Sequence, residues 1–201
     1  AKYLARADSQ TAGILACGVQ GRSNLEALAC VFDLTRVKAY DLFPEVAQRF
    51  AAEMGPRLEL DIEVVDNPRD AVSGLDLVVT SGPIVKDPKP VIEAGWLSQG
   101  AFASPVDFDC YWTRESLHEV DKLATDDFAQ MDYYRAAGYF PATPRPYADL
   151  GQIVCGKKPG RESDGERTVA INLGLALDDM ATGVLILAEA RRKGLGLELP
   201  L

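Results

Sequence analysis

Short apolar runs alternate with amphipathic stretches through the first two-thirds of the chain. Thr11–Ala16, Val37–Asp41, Leu58–Val65, Leu77–Thr80, Ala101–Ser104 and Lys122–Thr125 read as strands. Most are too short and too uniformly apolar for a half-exposed hairpin sheet, and they suit a parallel sheet covered on both faces. Helix signals lie between them. Leu25, Leu28, Ala29 and Phe32 repeat at helical spacing, and Pro44-Glu45 opens a helix running to Met54 with Gly55-Pro56 as its stop. Asp66-Asn67-Pro68 offers a cap followed by proline, and Thr113 begins a further helix with Glu115 in its first turn. Strand alternating with helix at this pitch predicts right-handed βαβ units and the α/β class, as a doubly wound, mostly parallel sheet.

The texture changes after about Gly138. Tyr139–Tyr147 holds three prolines and three aromatics and reads as an irregular crossing segment. Lys157–Arg167 is a polar loop, Thr168–Ile171 a strand, and Leu175–Lys193 a long helix closed by Gly194. Val184-Leu185-Ile186-Leu187-Ala188 makes that helix apolar nearly all round its middle, so it calls for a covering partner. Ala1–Arg6 reads like the tail of a helix already under way, which suggests a fragment lacking an N-terminal region. The expected organisation is residues 1–10 ending a linking helix, 11–147 the doubly wound domain, and 148–201 a C-terminal segment. That segment's helix would bury its apolar face against the missing N-terminal region.

One junction carries chemistry. Thr11–Ala16 feeds directly into Cys17-Gly18-Val19-Gln20-Gly21 and then into the helix of Leu25 and Leu28. In a G-x-G-x-x-G frame the positions are Ala16, Gly18 and Gly21. Gly18 lets backbone approach a pyrophosphate, and Gly21 allows close helix–strand packing. The phosphates would sit on free N–H groups at the helix N-terminus, so Val19 and Gln20 join the candidate cofactor contacts. Ala16 replaces the usual first glycine, which requires a turn that tolerates a Cβ. Asp41 ends the second strand about 20 residues further on, where an acidic residue hydrogen-bonds the adenine ribose. Leu42 follows it, with no cation for a 2′-phosphate, so NAD is expected over NADP. An ordinary strand-end aspartate is the plainer alternative. Thr80-Ser81-Gly82-Pro83 closes the fourth strand with small and hydroxyl residues suited to a nicotinamide ribose, or forms a plain Gly-Pro turn.

Composition narrows the class. A net charge of −9 argues against nucleic acid or an anionic membrane as partner. No stretch approaches the roughly 20 apolar residues of a membrane span, and no secretory signal is present. Cys17, Cys30, Cys110 and Cys155 form no C-x-x-C pair, and His118 is the single histidine. No metal site is therefore expected, and reduced thiols in a cytoplasmic protein are.

These motifs together resemble the ornithine cyclodeaminase/mu-crystallin family over nearly the whole chain. The loop Cys17–Gly21, the run Ala71–Thr80 and Trp96-Leu97-Ser98-Gln99-Gly100 match its ordered signatures. So do Asp149-Leu150-Gly151-Gln152, Gly156, Gly160-Arg161, and Gly174 with Ala176 and Asp178-Asp179. The resemblance implies a Rossmann domain paired with a substrate-binding and dimerisation domain, and hence a homodimer. It also implies hydride transfer between NAD and the α-carbon of an amino acid or imine, as cyclodeaminase, amino-acid dehydrogenase or ketimine reductase. The family's catalytic aspartate falls on Asp109, with Glu115 in its downstream acidic position. Asp107 and Phe108 replace the small residues usual before that aspartate. Asn172, with Ile171, falls near the carboxamide end of the cofactor, and Gly174 follows. The resemblance places a substrate-carboxylate arginine and a catalytic lysine upstream of residue 1. Lys157, Lys158 and Arg161 are expected as a solvated loop, not as substitutes, Cys110 as inert, and His118 on a helix surface. A non-catalytic dinucleotide-binding protein and a structural oligomer are the alternatives.

Overall fold

The computed structural model describes all residues except 142, 198, 200 and 201. Eight parallel strands form a single sheet: β1 (Thr11–Leu15), β2 (Arg36–Tyr40), β3 (Ile62–Val64), β4 (Leu77–Thr80), β5 (Phe102–Pro105), β6 (Lys122–Thr125), β7 (Ala148–Asp149) and β8 (Thr168–Ile171). Their order is β3-β2-β1-β4-β5-β8-β6-β7. The central strands β1, β4, β6 and β8 are buried along nearly their whole length, as continuous apolar runs in a covered parallel sheet must be. Successive connections run outward from β1 on one side and from β4 on the other. The crevice between the loops that follow these two strands is therefore the topological switch point, where doubly wound sheets bind ligands.

Two apolar layers cover the sheet. Leu25 and Leu28 of helix α1 (Val19–Ala29) and Phe50 and Met54 of helix α2 (Pro44–Leu58) pack on one face. Ile92, Leu97, Trp112, Leu117 and Phe140 pack on the other. Helices α3 (Arg114–His118), α4 (Phe128–Ala136), α5 (Leu150–Val154) and α6 (Ala176–Lys193) complete the chain. Thr113 and Asp127 cap α3 and α4 through their side chains, and Asp149 with Gln152 forms a reciprocal capping box on α5.

Several elements depart from the sequence expectation. α2 runs through Gly55 and Pro56 to Leu58, its last turns held by the buried Met54 and Gly55 although Pro56 gives up one amide bond; Glu59 ends it in the left-handed region. The third strand is thereby cut to Ile62–Val64. The Asn67 cap forms, its Oδ1 accepting from Arg69 N at 2.9 Å, but it opens only a 3-10 turn over Pro68–Ala71. The fifth strand begins one residue later than the apolar run and includes Pro105. The two-residue β7 has no hydrophobic pattern of its own to announce it.

Ala1–Arg6 forms a turn, with Ala5 N donating to Ala1 O at 2.8 Å. It is tied down by its neighbours. Leu4 is buried, and its carbonyl accepts from Arg161 Nε and Thr168 Oγ1 at 2.8 and 2.7 Å. Arg161 also donates to Ala101 O, so this residue is a clamp between the polar loop and the sheet, unlike the exposed Lys157 and Lys158. Helix α6 packs against nothing among the described residues: none of its residues is buried, and Leu177, Val184, Leu185 and Ile186 are 62–73% exposed.

Candidate active site at the switch point

The loops after β1 and β4 are stitched together. Ser81 N donates to Leu15 O at 3.0 Å and Ser81 Oγ to Ala16 O at 2.7 Å. Ala16 holds a left-handed conformation, φ 69°, at the position where a glycine is usual. The turn is thus the strained one, and the stitched loops stabilise it despite its Cβ. Gly21 lies against it so closely that a Cβ there would come within 2.6 Å of Ala16 O. Gly18 differs: its φ is −74°, and a Cβ would meet nothing within 4 Å. The N-terminus of the 11-residue α1 carries no side-chain cap and no acidic residue in its first turn. Its leading amides and positive dipole end are left facing the crevice, as an anion site requires.

Asp41 stands across this loop. One carboxylate oxygen accepts from Cys17 N at 2.8 Å and the other from Phe43 N at 3.0 Å. A carboxylate has about four acceptor positions, so the two amides fix it and leave capacity for ligand hydroxyls. Ala16, Gly18, Asp41, Ser81, Gly82 and Tyr111 line one cleft of about 790 Å³, sufficient for a dinucleotide. Tyr111 was not legible as a site residue. Its ring packs on Gly82 so tightly that a Cβ would lie 2.4 Å from a ring carbon. Burial, followed by the negative charge of Asp107 and Asp41, pushes its phenol up to about 12.

Behind the cleft floor lie two aspartates with different surroundings. Asp107 is fully buried; its Oδ1 accepts from Thr80 Oγ1 at 2.7 Å and its Oδ2 from Gly82 N at 3.3 Å. Trp112 Nε1 donates to the same Thr80 hydroxyl at 3.2 Å, which fixes the direction of the chain Trp112 to Thr80 to Asp107. Burial outweighs these donors and raises the Asp107 carboxyl to about 7. Asp109 is 8% exposed and has a single side-chain donor, Thr143 Oγ1, at 2.6 Å from Oδ2. Burial raises its carboxyl too, against the pull of Thr143, of its own backbone N–H and of the Arg135 guanidinium. Phe108, between them, is left-handed (φ 63°), and this turn is what sends the two carboxylates to different partners. Cys110 is buried and its thiol is raised, first by burial, which suits an unreactive role.

Residues 1–194 match the ornithine cyclodeaminase/mu-crystallin family. The chain belongs to this family. As a member it is 32% identical to the alanine dehydrogenase of Archaeoglobus fulgidus over 98% of its own length and 62% of that protein. The Thermococcus litoralis Delta(1)-pyrroline-2-carboxylate reductase, solved with NADH and L-proline, superposes with a TM-score of 0.85 at 30% identity. It is matched over 98% of this chain and 63% of that one. An archaeal alanine dehydrogenase dimer with bound NAD gives the same TM-score and identity over 100% of this chain and 63% of that one. The chain thus spans a little over three-fifths of the length of these family members.

The expected site residues fall into three groups. Gly18, Asp41, Ser81 and Gly82 meet in the cleft, with Gly21 packed beneath and Val19 and Gln20 exposed on the first turn of α1. Thr80 is buried behind the cleft and spent on Asp107 and Trp112. Asn172 and Gly174 lie past the end of β8. There the Asn172 amide donates to Ser104 Oγ at 2.9 Å, while Leu173 N and Gly174 N donate to Asp126 at 2.7 Å. His118 and Glu115 are exposed on α3 and Asp109 does not line the cleft. Asp107, Tyr111, Trp112 and Thr143 carry no motif, and a sequence alone offers nothing that would pair them across 27 to 34 positions.

Proposed function

We propose that this chain is the nucleotide-binding portion of an NAD-dependent enzyme that transfers hydride at the α-carbon of an amino acid or imine. The observation that carries the reading is the paired arrangement of Asp41 and the uncapped α1 N-terminus across one cleft. The N–H groups of Val19, Gln20 and Gly21 suit the pyrophosphate, and Gly18 lets it approach. The Asp41 carboxylate suits the adenine ribose hydroxyls, and Leu42, 73% exposed, leaves no cation for a 2′-phosphate. Ser81 and Gly82 take the nicotinamide half, and Asn172 and Gly174 border its carboxamide end. The relatives solved with NAD or NADH support the same assignment.

When bound, the nicotinamide supplies or takes up the hydride. Asp109 then does the proton work: in the oxidative direction its carboxylate takes the proton from the substrate nitrogen as the C–N bond becomes an imine. In the reductive direction the carboxylic acid returns it. Burial pushes its carboxyl above the usual aspartate range, which favours a group that must hold a proton as well as release it. Asp107 has no oxygen without a donor and serves as a brace for the Gly82 loop. Dehydrogenase, reductase and cyclodeaminase chemistry share this step, and they diverge in how the imine is used. A homodimer, formed through a second domain that includes α6, completes the reading.

The test uses the protein at its native length. L-Alanine, L-proline and L-ornithine are offered with NAD, and NADH absorbance and ammonia release are followed together. NADH without ammonia marks an imine-retaining dehydrogenase, both together mark oxidative deamination, and ammonia without net NADH marks cyclodeamination, in which the hydride returns to the ring. Asp109→Asn is expected to lower turnover by about two orders of magnitude while leaving NAD affinity unchanged. If Asp107→Asn has that effect and Asp109→Asn does not, the assignment of roles is reversed.

A further inference from the structure

We infer that Thr143 is the positioning residue for the Asp109 carboxyl: its hydroxyl holds Oδ2 and leaves Oδ1 for the substrate. The inference rests on the reading of Asp109 as the acid–base group. Thr143 sits in the proline-rich crossing segment, 34 positions from Asp109, yet it is 4% exposed and its Oγ1 lies 2.6 Å from Oδ2. Nothing about that segment's own backbone needs the contact. Its main chain is secured separately by Arg135 of α4, whose Nη2 donates to Thr143 O at 2.8 Å and to Pro144 O at 2.9 Å. The guanidinium therefore serves the segment and acts on Asp109 only through space. No second side-chain donor reaches Asp109 among the described residues.

The physical consequence is specific. A hydroxyl whose hydrogen points at a carboxylate stabilises the charged form, so Thr143 opposes the burial that favours the neutral acid. It also fixes the rotamer, because one oxygen is tied and the other is then the one free to exchange a proton. The other ionisable groups beside Asp109 are Arg135 on α4 and, on its own turn, Asp107 and Cys110. None of these is altered by a change at Thr143.

The experiment follows the Asp109 carboxyl itself, in native-length protein labelled with carbon-13 at aspartate. Titrations of wild type, Thr143→Val and Thr143→Ser are compared, with Asp109→Asn to identify the resonance. Thr143→Val, nearly the same in shape, is expected to raise the Asp109 midpoint by about one pH unit, the size of one hydrogen bond to a charged group. Thr143→Ser is expected to return it to the wild-type value. The pH limb of amino-acid oxidation should move upward with it, with turnover below the limb about tenfold lower and NADH affinity measured by calorimetry unchanged. An Asp109 midpoint that is the same in Thr143→Val as in wild type overturns the inference, as does a serine variant that fails to restore it. A midpoint that moves while Asp109→Asn turns over normally leaves Thr143 in control of the carboxyl and removes the acid–base reading of Asp109 instead.

Discussion

Two carboxylates show how neighbours within a few ångströms give one side-chain type different surroundings. Asp41 is held by the two backbone amides of Cys17 and Phe43 beside the cleft, where on the proposed reading it would repel a 2′-phosphate. NAD(H) should therefore bind at least about tenfold more tightly than NADP(H), a difference of about 1.4 kcal/mol. Asp41→Ala should reduce the ratio, and calorimetric titration of both nucleotides checks this; equal affinities in the wild type would remove the ribose role. Asp107 titrates instead near about 7, because burial outweighs its two donors. An unfolded aspartate titrates at about 4, so the folded chain binds the extra proton between those values. The stabilisation this gives is fully present below about pH 4 and is lost as the pH rises through about 7. Urea midpoints of wild type and Asp107→Asn should therefore diverge across that window, with the wild type losing ground as the pH rises. A constant difference would show that Asp107 does not titrate there.

At the scale of elements, the first turn of α1 and the β1 and β4 loops act as one unit, and its glycines separate folding from binding. Gly21 is a packing glycine, since a Cβ would press into Ala16 O at 2.6 Å, and backbone there cannot move without undoing the Ser81 stitches. Gly18 has open space and an ordinary φ, so alanine there is sterically free in the folded chain. Gly21→Ala is expected to lower stability by about 1–3 kcal/mol. Gly18→Ala should leave the melting temperature within about 2 °C, the size of a few tenths of a kcal/mol, and yet weaken NADH binding by about tenfold or more by blocking the pyrophosphate. Thermal melts paired with NADH fluorescence titrations distinguish the two. Loss of stability at Gly18 with intact binding would mean that the loop, not the ligand, requires that residue.

For the whole molecule, the parallel sheet is closed on both faces, but α6 is not part of that closure. Its apolar residues Leu177, Met180, Val184, Leu185, Ile186 and Leu187 are 51–73% exposed. A patch of that kind drives association. A polypeptide of residues 1–201 should bind a hydrophobic dye and sediment as dimers or larger species, and Leu185→Lys with Ile186→Lys should suppress both. A monomeric, dye-silent wild-type polypeptide would show that the face of α6 is covered by a route not visible in the isolated fold. Among the described residues no helix is long and apolar enough to cross a membrane.

The sequence by itself determined the βαβ alternation, the position of the glycine-bearing turn between β1 and α1, and Asp41 just past the end of β2. These are local matters: strand and helix periods, glycine spacing and a fixed offset along the chain are written in consecutive residues. It also located Thr80-Ser81-Gly82 at a strand end, Thr113 as a cap, and Gly194 as the stop of α6. Tertiary structure alone decided the rest. The left-handed Ala16 is stabilised by Ser81, 65 positions away, and the extension of α2 through Pro56 reflects packing that overrides a local break signal. Likewise, Asp107 is a buried brace because the parallel β4–β5 pairing brings Thr80 beside Pro105, so Thr80 and Gly82 come to face it. Asp109 gains Thr143 only because α4 and the crossing segment fold back over the turn at Phe108. Hydrogen bonds between side chains tens of positions apart depend on the whole sheet order, and no pattern of neighbouring residues encodes them.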